Sequence, residues 1–303
     1  MTSVSLPDEV RAACAWVAER ARSVRVEAGR ISEYAAQLAP AEGGEPQPFA
    51  ADREVAGAFA ICMNAINFGS GWWPTIRKRP GHSGYGTMAA GLGERFEIDG
   101  PWSAEELAAM ETAAIAAVLG QDVGHPLMAQ FAAALRDVGG HLAGEYDGCF
   151  LGPVEAADSV PALAATFAGW RAFADVSTYE GREVPFFKRA QIAAADLHRA
   201  RLADLPGFER LTAFADNLVP HVLRVDGVLS LKPELEARIE AGGLLEHGSP
   251  EEVELRACAV HAVELLAAAS ALTPAEIDGA LWNRGRGQRY KSRPRPRSRN
   301  TAY

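Results

Sequence analysis

Lys188 and Asp216 are the two side chains whose type and setting suit chemistry on a phosphorylated compound. Lys188 follows Pro185, Phe186 and Phe187 and opens an amphipathic run that continues through Ile192, Ala195 and Asp196. The start of a helix attracts anions, because its first N–H groups lack partners and the peptide dipoles turn their positive end there. A lysine at that point suits a phosphate; a solvated surface lysine is the other reading of the same spacing. Asp216 ends the run Leu211 to Ala215, just ahead of Asn217 and Pro220. An acid among apolar residues is costly to bury unless it is paired, hydrogen-bonded or functional. It suits stabilisation of developing positive charge, and equally the capping of a helix beginning near Leu218. Asp196 competes for the first role, although its place inside a helix points to an ion pair with Arg189 or Arg199.

One further cluster could recognise a flat ring, and another sets an acid beside an aromatic. Asn64, Asn67, Phe68, Trp72 and Trp73 surround a glycine-rich stretch, and amide and aromatic groups there suit stacking and edge recognition of a base. Ordinary packing over a helix end accounts for the same residues. Asp278 and Trp282 stand four apart, hence on one face of a helix. The Gly84-Tyr-Gly86 segment has no strand before it, and Gly81-His-Ser83-Gly84 lacks the second glycine of a nucleophile elbow, so neither is read as a site.

The elements that must position these groups read as helices. Hydrophobic residues make up 48% of the 303, charged residues 23%, as expected of a globular protein. Val10, Ala13, Cys14 and Val17 mark one helix face, Val55, Phe59, Met63 and Ile66 a second, and Leu127, Phe131, Leu135, Val138 and Leu142 a third. Between the first two lies a Pro-, Gly- and Glu-rich loop over Pro40–Pro48. Ser103 with Glu106, Ser249 with Glu252, and Thr273 with Glu276 have the spacing of capping boxes, and Pro126, Pro250 and Pro274 suit first helical positions. Strand-like alternation is confined to Phe96–Ile98 and Val176–Val184. The expectation is an all-α protein, a single helical domain over 1–283, with one short hairpin at most.

Composition excludes several classes. No apolar stretch approaches the ~20 residues of a bilayer span, and the first residues lack a basic region followed by an apolar run, so a cytoplasmic location is expected. Cys14, Cys62, Cys149 and Cys258 form no CxxC pair, and the seven histidines show no metal-ligand spacing; neither metal nor cofactor is expected. Lys and Arg number 30 against 39 Asp and Glu, a net charge of −9. Eight of the 30 lie in residues 284–303, which hold no acid, so the remainder carries 22 against 39, or −17. An acidic body does not suit broad binding to nucleic acid. The arginine-proline run at 293–299 reads first as a flexible solvated tail, and second as a basic arm that touches phosphate or RNA.

Taken in order, these stretches resemble the queuosine salvage family from about Ser23 onward. The similarity is carried by Val24–Glu27, Asn64–Phe68, Tyr179–Asp196, Phe214 to Asp216 with Pro220, Glu252–Cys258, Asp278 to Trp282, and the aromatic Tyr303. The resemblance implies a fold like that of helical DNA glycosylases, and an N-glycosylase acting on the nucleotide queuosine 5'-phosphate, with no membrane and no stable nucleic-acid partner. It places the catalytic acid on Asp216 and the phosphate-side lysine on Lys188. Phe214, Asp278 and Trp282 become base contacts, with Asn67, Phe68 and Tyr303 as further binding residues. Asn283 stands where relatives usually have an aspartate, which bears on recognition of a cationic base. The unusually basic 284–299 stretch departs from the family pattern, and the return of the 284–303 segment to the site is one expectation. A non-catalytic helical module that binds RNA or an acidic partner through this segment is the alternative.

Overall fold

The computed structural model describes residues 4–40, 49, 51–202 and 204–303. Fifteen α-helices account for most of the ordered backbone among them, with six strands of two to four residues. The protein is predominantly α-helical. The Pro40–Pro48 loop lies, apart from Pro40, outside the described residues.

Local chemistry explains the helix starts. Ser103 and Thr273 close full capping boxes with Glu106 and Glu276. The third expected box closes differently. Ser249 accepts the Glu252 N–H, but the Glu252 carboxylate reaches the Gly248 N–H at 3.0 Å rather than that of Ser249. Phe96–Ile98, read as strand-like, lies within the Gly84–Asp99 helix. Three residues of alternation are too few to overcome the helical context on either side.

The Pro250–Ala268 helix is central. It packs against Leu6–Arg20, Leu218–Val225, Pro274–Gly285 and both strands of one sheet. Glu252, Glu254 and Arg256 on it are as buried as its Val and Ala residues, which is the signature of a helix surrounded by protein. Such charges persist only where they are bonded. Glu254 accepts the N–H groups of Ser23 and Val24 at 2.6 and 3.0 Å and the Tyr179 hydroxyl at 2.8 Å. That carboxylate fixes the strand Val24–Val26 and the hairpin below it in one stroke.

The hairpin pairs Val176–Tyr179 with Arg182–Pro185, Tyr179 opposite Arg182. Glu180 and Gly181 both have positive φ, 46° and 78°, the two-residue turn whose twist matches its strands. Two other pairings join distant sequence: Val24–Val26 antiparallel with Leu229–Leu231, and Leu244–Leu245 parallel with Arg297–Ser298. The second pulls the last residues onto the body.

Residues 284–303 are accordingly not a solvated tail. Arg293 bonds Glu240 at 2.7 Å, Arg297 bonds the Gly242 carbonyl at 3.0 Å, and Arg284 and Arg289 pair with Asp226. Acids of the body meet the cations of this segment, a match that the charge balance alone does not reveal.

Candidate active site

One buried ion pair organises the cleft. Arg256 holds Asp175 through both nitrogens, at 2.9 and 2.7 Å, and each residue's side chain is 1% exposed. The Arg256 guanidinium lies over the Phe186 ring at 3.9 Å and the Tyr303 ring at 4.4 Å. Asp175 also accepts the Lys188 N–H at 3.0 Å, while its carbonyl accepts that of Phe186 at 2.9 Å. The turn into the Lys188–Arg199 helix is thereby clamped. Phe187 within it sits at φ 48°, ψ 41°, a left-handed conformation that bulky residues adopt only where the surroundings enforce it.

The opposite wall is the irregular segment 211–217, pinned at nearly every residue. Thr212 exchanges hydrogen bonds with Gln191. The Phe214 N–H donates to Asp278 Oδ1 at 2.9 Å. The Ala215 carbonyl accepts from Arg256 Nε at 3.0 Å. Asp216 Oδ1 accepts the N–H groups of Leu218 and Val219, at 2.8 and 2.9 Å. The capping role read from sequence is therefore filled by one oxygen. The other, Oδ2, has no hydrogen bond among the described residues, and Asp216 lines a narrow crevice with Asn217, Arg256, Pro296 and Tyr303.

Lys188 is 5% exposed, with Nζ donating to the Asn67 carbonyl at 3.1 Å. Burial draws its ammonium down to about 8, against the pull of Asp216 and Asp175. Burial pushes the Asp278 carboxyl up to about 8, and the charge of Asp216 adds to the rise. Asp196 pairs with Arg199 at 3.7 Å and accepts the Asn64 amide at 2.9 Å; burial holds its carboxyl above the usual range. Its side chain is still 33% accessible, so it is not sealed within the core. Arg189, the other partner read from sequence, instead donates to the carbonyls of Ala65, Thr301 and Ala302.

Of the residues singled out in the sequence, Lys188, Asp216 and Asp278 act electrostatically on one another, and Phe214 and Asn67 are bonded to two of them. Trp282 is half-buried and meets Tyr85 edge-on at 6.4 Å. Phe68 is 2% exposed, packed against Phe131 and under Arg189, part of the wall that carries Asn67. Asn283 is exposed. Tyr303 is 5% exposed, and its carbonyl accepts the Gly69 N–H at 2.9 Å. Arg295 was not anticipated. It is half-buried, and the charge of Asp216 opposes the lowering of its basicity by burial. Asp175 and Arg256 also escaped as site residues, although Arg256 lies in a stretch that carried the family resemblance. No group of three His, Cys, Asp or Glu side chains suited to a metal ion occurs among the described residues.

A predominantly helical protein with a buried lysine facing two carboxyls is what fold and cleft define. The chain belongs to the queuosine salvage protein family, whose profile matches residues 47–303. It is similar to proteins named queuosine 5'-phosphate N-glycosylase/hydrolase. That of Sphaerobacter thermophilus is 31% identical, over 95% of both chains. That of Dictyostelium discoideum is 29% identical over 82% of this chain and 79% of its own. That of Mus musculus is 28% identical over 86% and 84%.

Proposed function

We propose that the protein hydrolyses the N-glycosidic bond of queuosine 5'-phosphate, releasing queuine for reuse in tRNA modification. The observation that carries this reading is Asp216, with one oxygen bound by two backbone N–H groups and the other unbonded, within electrostatic reach of a buried lysine. Breaking the bond builds positive charge on the ribose anomeric carbon and ring oxygen. A carboxylate fixed before the reaction stabilises that charge, or attacks the carbon directly. Rigidity matters here, because a preorganised group does not have to be reoriented as the charge appears.

Lys188 holds the 5'-phosphate, so that binding energy remote from the reacting carbon sets the ribose in register. Asn67 and Tyr303 shape the same wall. Phe214, Trp282 and Asp278 meet the base. Residues 284–303 complete the crevice rather than reach for RNA, since their cations are largely engaged by the body, and a nucleotide rather than a nucleic acid is the ligand. We place the work in the cytoplasm, in keeping with four unpaired cysteines, three of them buried, and with no helix among the described residues long and apolar enough to cross a membrane.

Incubation with queuosine 5'-phosphate, followed by mass spectrometry of free queuine, tests the reading. Wild-type protein releases the base, and Asp216→Asn, which keeps the Oδ1 cap, loses roughly 100-fold or more in kcat. Near-wild-type turnover by the variant would remove Asp216 from the mechanism.

A further inference from the structure

Two carboxyls that act on one another, Asp216 and Asp278, stand in unlike settings. Asp216 takes two backbone N–H bonds on one oxygen. Asp278 takes a single N–H bond, from Phe214, and no ion pair engages it among the described residues. That bond also fixes their relation, because Phe214 lies two residues before Asp216 on the same pinned segment. The charged groups facing Asp278 are Asp216, and Arg199 and Lys188 from the Lys188–Arg199 helix. Arg199 is paired with Asp196 and Lys188 is bonded to Asn67, so neither neutralises Asp278 directly.

We infer that Asp278 is the proton donor to the leaving base, a step that rests on the N-glycosidase reading above. Two nearby carboxyls in a largely buried cleft do not both ionise cheaply, and the less solvated one retains its proton. Asp278, 6% exposed, is that one. Its displacement toward about 8 agrees, and leaves an acid that is still protonated at neutral pH. Trp282 lies one helical turn further on, half-buried. The two share one helical face, so a base stacked on Trp282 lies beside Asp278. A deazapurine lacks the imidazole nitrogen through which purines are often protonated, which makes a placed donor more important.

The step balances without a co-reactant other than water. The electron pair of the glycosidic bond passes to the base as the Asp278 proton joins one of its ring nitrogens. Asp278 becomes a carboxylate. The ribosyl cation, held against Asp216, takes the oxygen of water, and the released proton restores Asp278.

The test compares two substrates: queuosine 5'-phosphate, and 4-nitrophenyl ribofuranoside 5-phosphate, whose leaving group departs as an anion. Asp278→Asn keeps the bond to the Phe214 N–H and has no proton to transfer. Its kcat on the nucleotide falls roughly 100- to 10,000-fold, whereas the loss on the nitrophenyl substrate stays below about tenfold, since departure there needs no acid. Wild-type protein supplies the same reading without a variant. Its kcat on the nucleotide falls as pH rises past 8, and that limb is missing with the nitrophenyl substrate. Equal losses on both substrates, or a raised KM with kcat retained, would overturn the assignment and leave Asp278 as a binding residue. Wild-type protein inactive on both overturns the N-glycosidase reading and this step with it.

Discussion

Arg256 grips both carboxylate oxygens of Asp175 and, with its remaining nitrogen, the carbonyl of Ala215. The pair thus spans the cleft. Asp175 fixes the backbone of Lys188, and Arg256 fixes the residue before Asp216. The two groups assigned to phosphate and ribose share one rigid mount that neither of them touches with its own side-chain charge.

Breaking that pair should damage stability and catalysis together. Asp175→Asn leaves the Arg256 charge buried without its counter-ion, which costs about 3–5 kcal/mol. Denaturant unfolding measures the loss, and turnover should fall alongside it although Asp175 is not in contact with substrate in this scheme. A loss under 1 kcal/mol would mean that the glutamate at 252, 3.9 Å from Arg256, can take over.

The alkaline behaviour of kcat/KM should report Lys188. With its ammonium at about 8 in the free protein, the cation is present below that pH and is lost as pH rises through it. Phosphate binding weakens in the same direction. Lys188→Met should raise KM for the nucleotide by more than tenfold, in line with loss of a hydrogen bond to a charged group, and hardly change the nucleoside. The alkaline fall should accordingly be steeper for nucleotide than for nucleoside. Parallel profiles for the two would separate Lys188 from the phosphate.

The last segment can be probed from the opposite wall. Gly71 lies so close to it that a Cβ would meet the Ser298 carbonyl oxygen at 2.3 Å and its carbon at 2.6 Å. Backbone cannot rotate aside as a side chain can, so Gly71→Ala should destabilise by about 1–3 kcal/mol. It should also loosen residues 297–303, which hydrogen exchange would register as lost protection. Unchanged protection there would show that the segment yields to the methyl group without leaving its place.

Much of the helical skeleton was legible because its signals are local. Apolar spacing at 126–145, the capping boxes at Ser103 and Thr273, and proline at first positions depend only on neighbours within a turn or two. Lys188 at a helix start and Asp216 ahead of the next helix were legible for the same reason. Phe96–Ile98 misled because three alternating residues resemble a strand when seen alone.

What tertiary structure decided is which groups meet across the chain. Nothing near Asp175 announces Arg256, 81 positions away, and nothing near Asn64 announces Asp196, 132 positions away. The basic run at 293–299 looked solvated because its counter-charges, Glu236 and Glu240, belong to a helix far back in the chain. The packing of Phe68 beneath Arg189, 121 positions away, is likewise invisible in the sequence. Local spacing determines an element and the face it shows; burial, and with it the altered acidity of Lys188 and Asp278, is a property of what folds over that face. Only the assembled protein removes the water on which the ordinary behaviour of those groups depends.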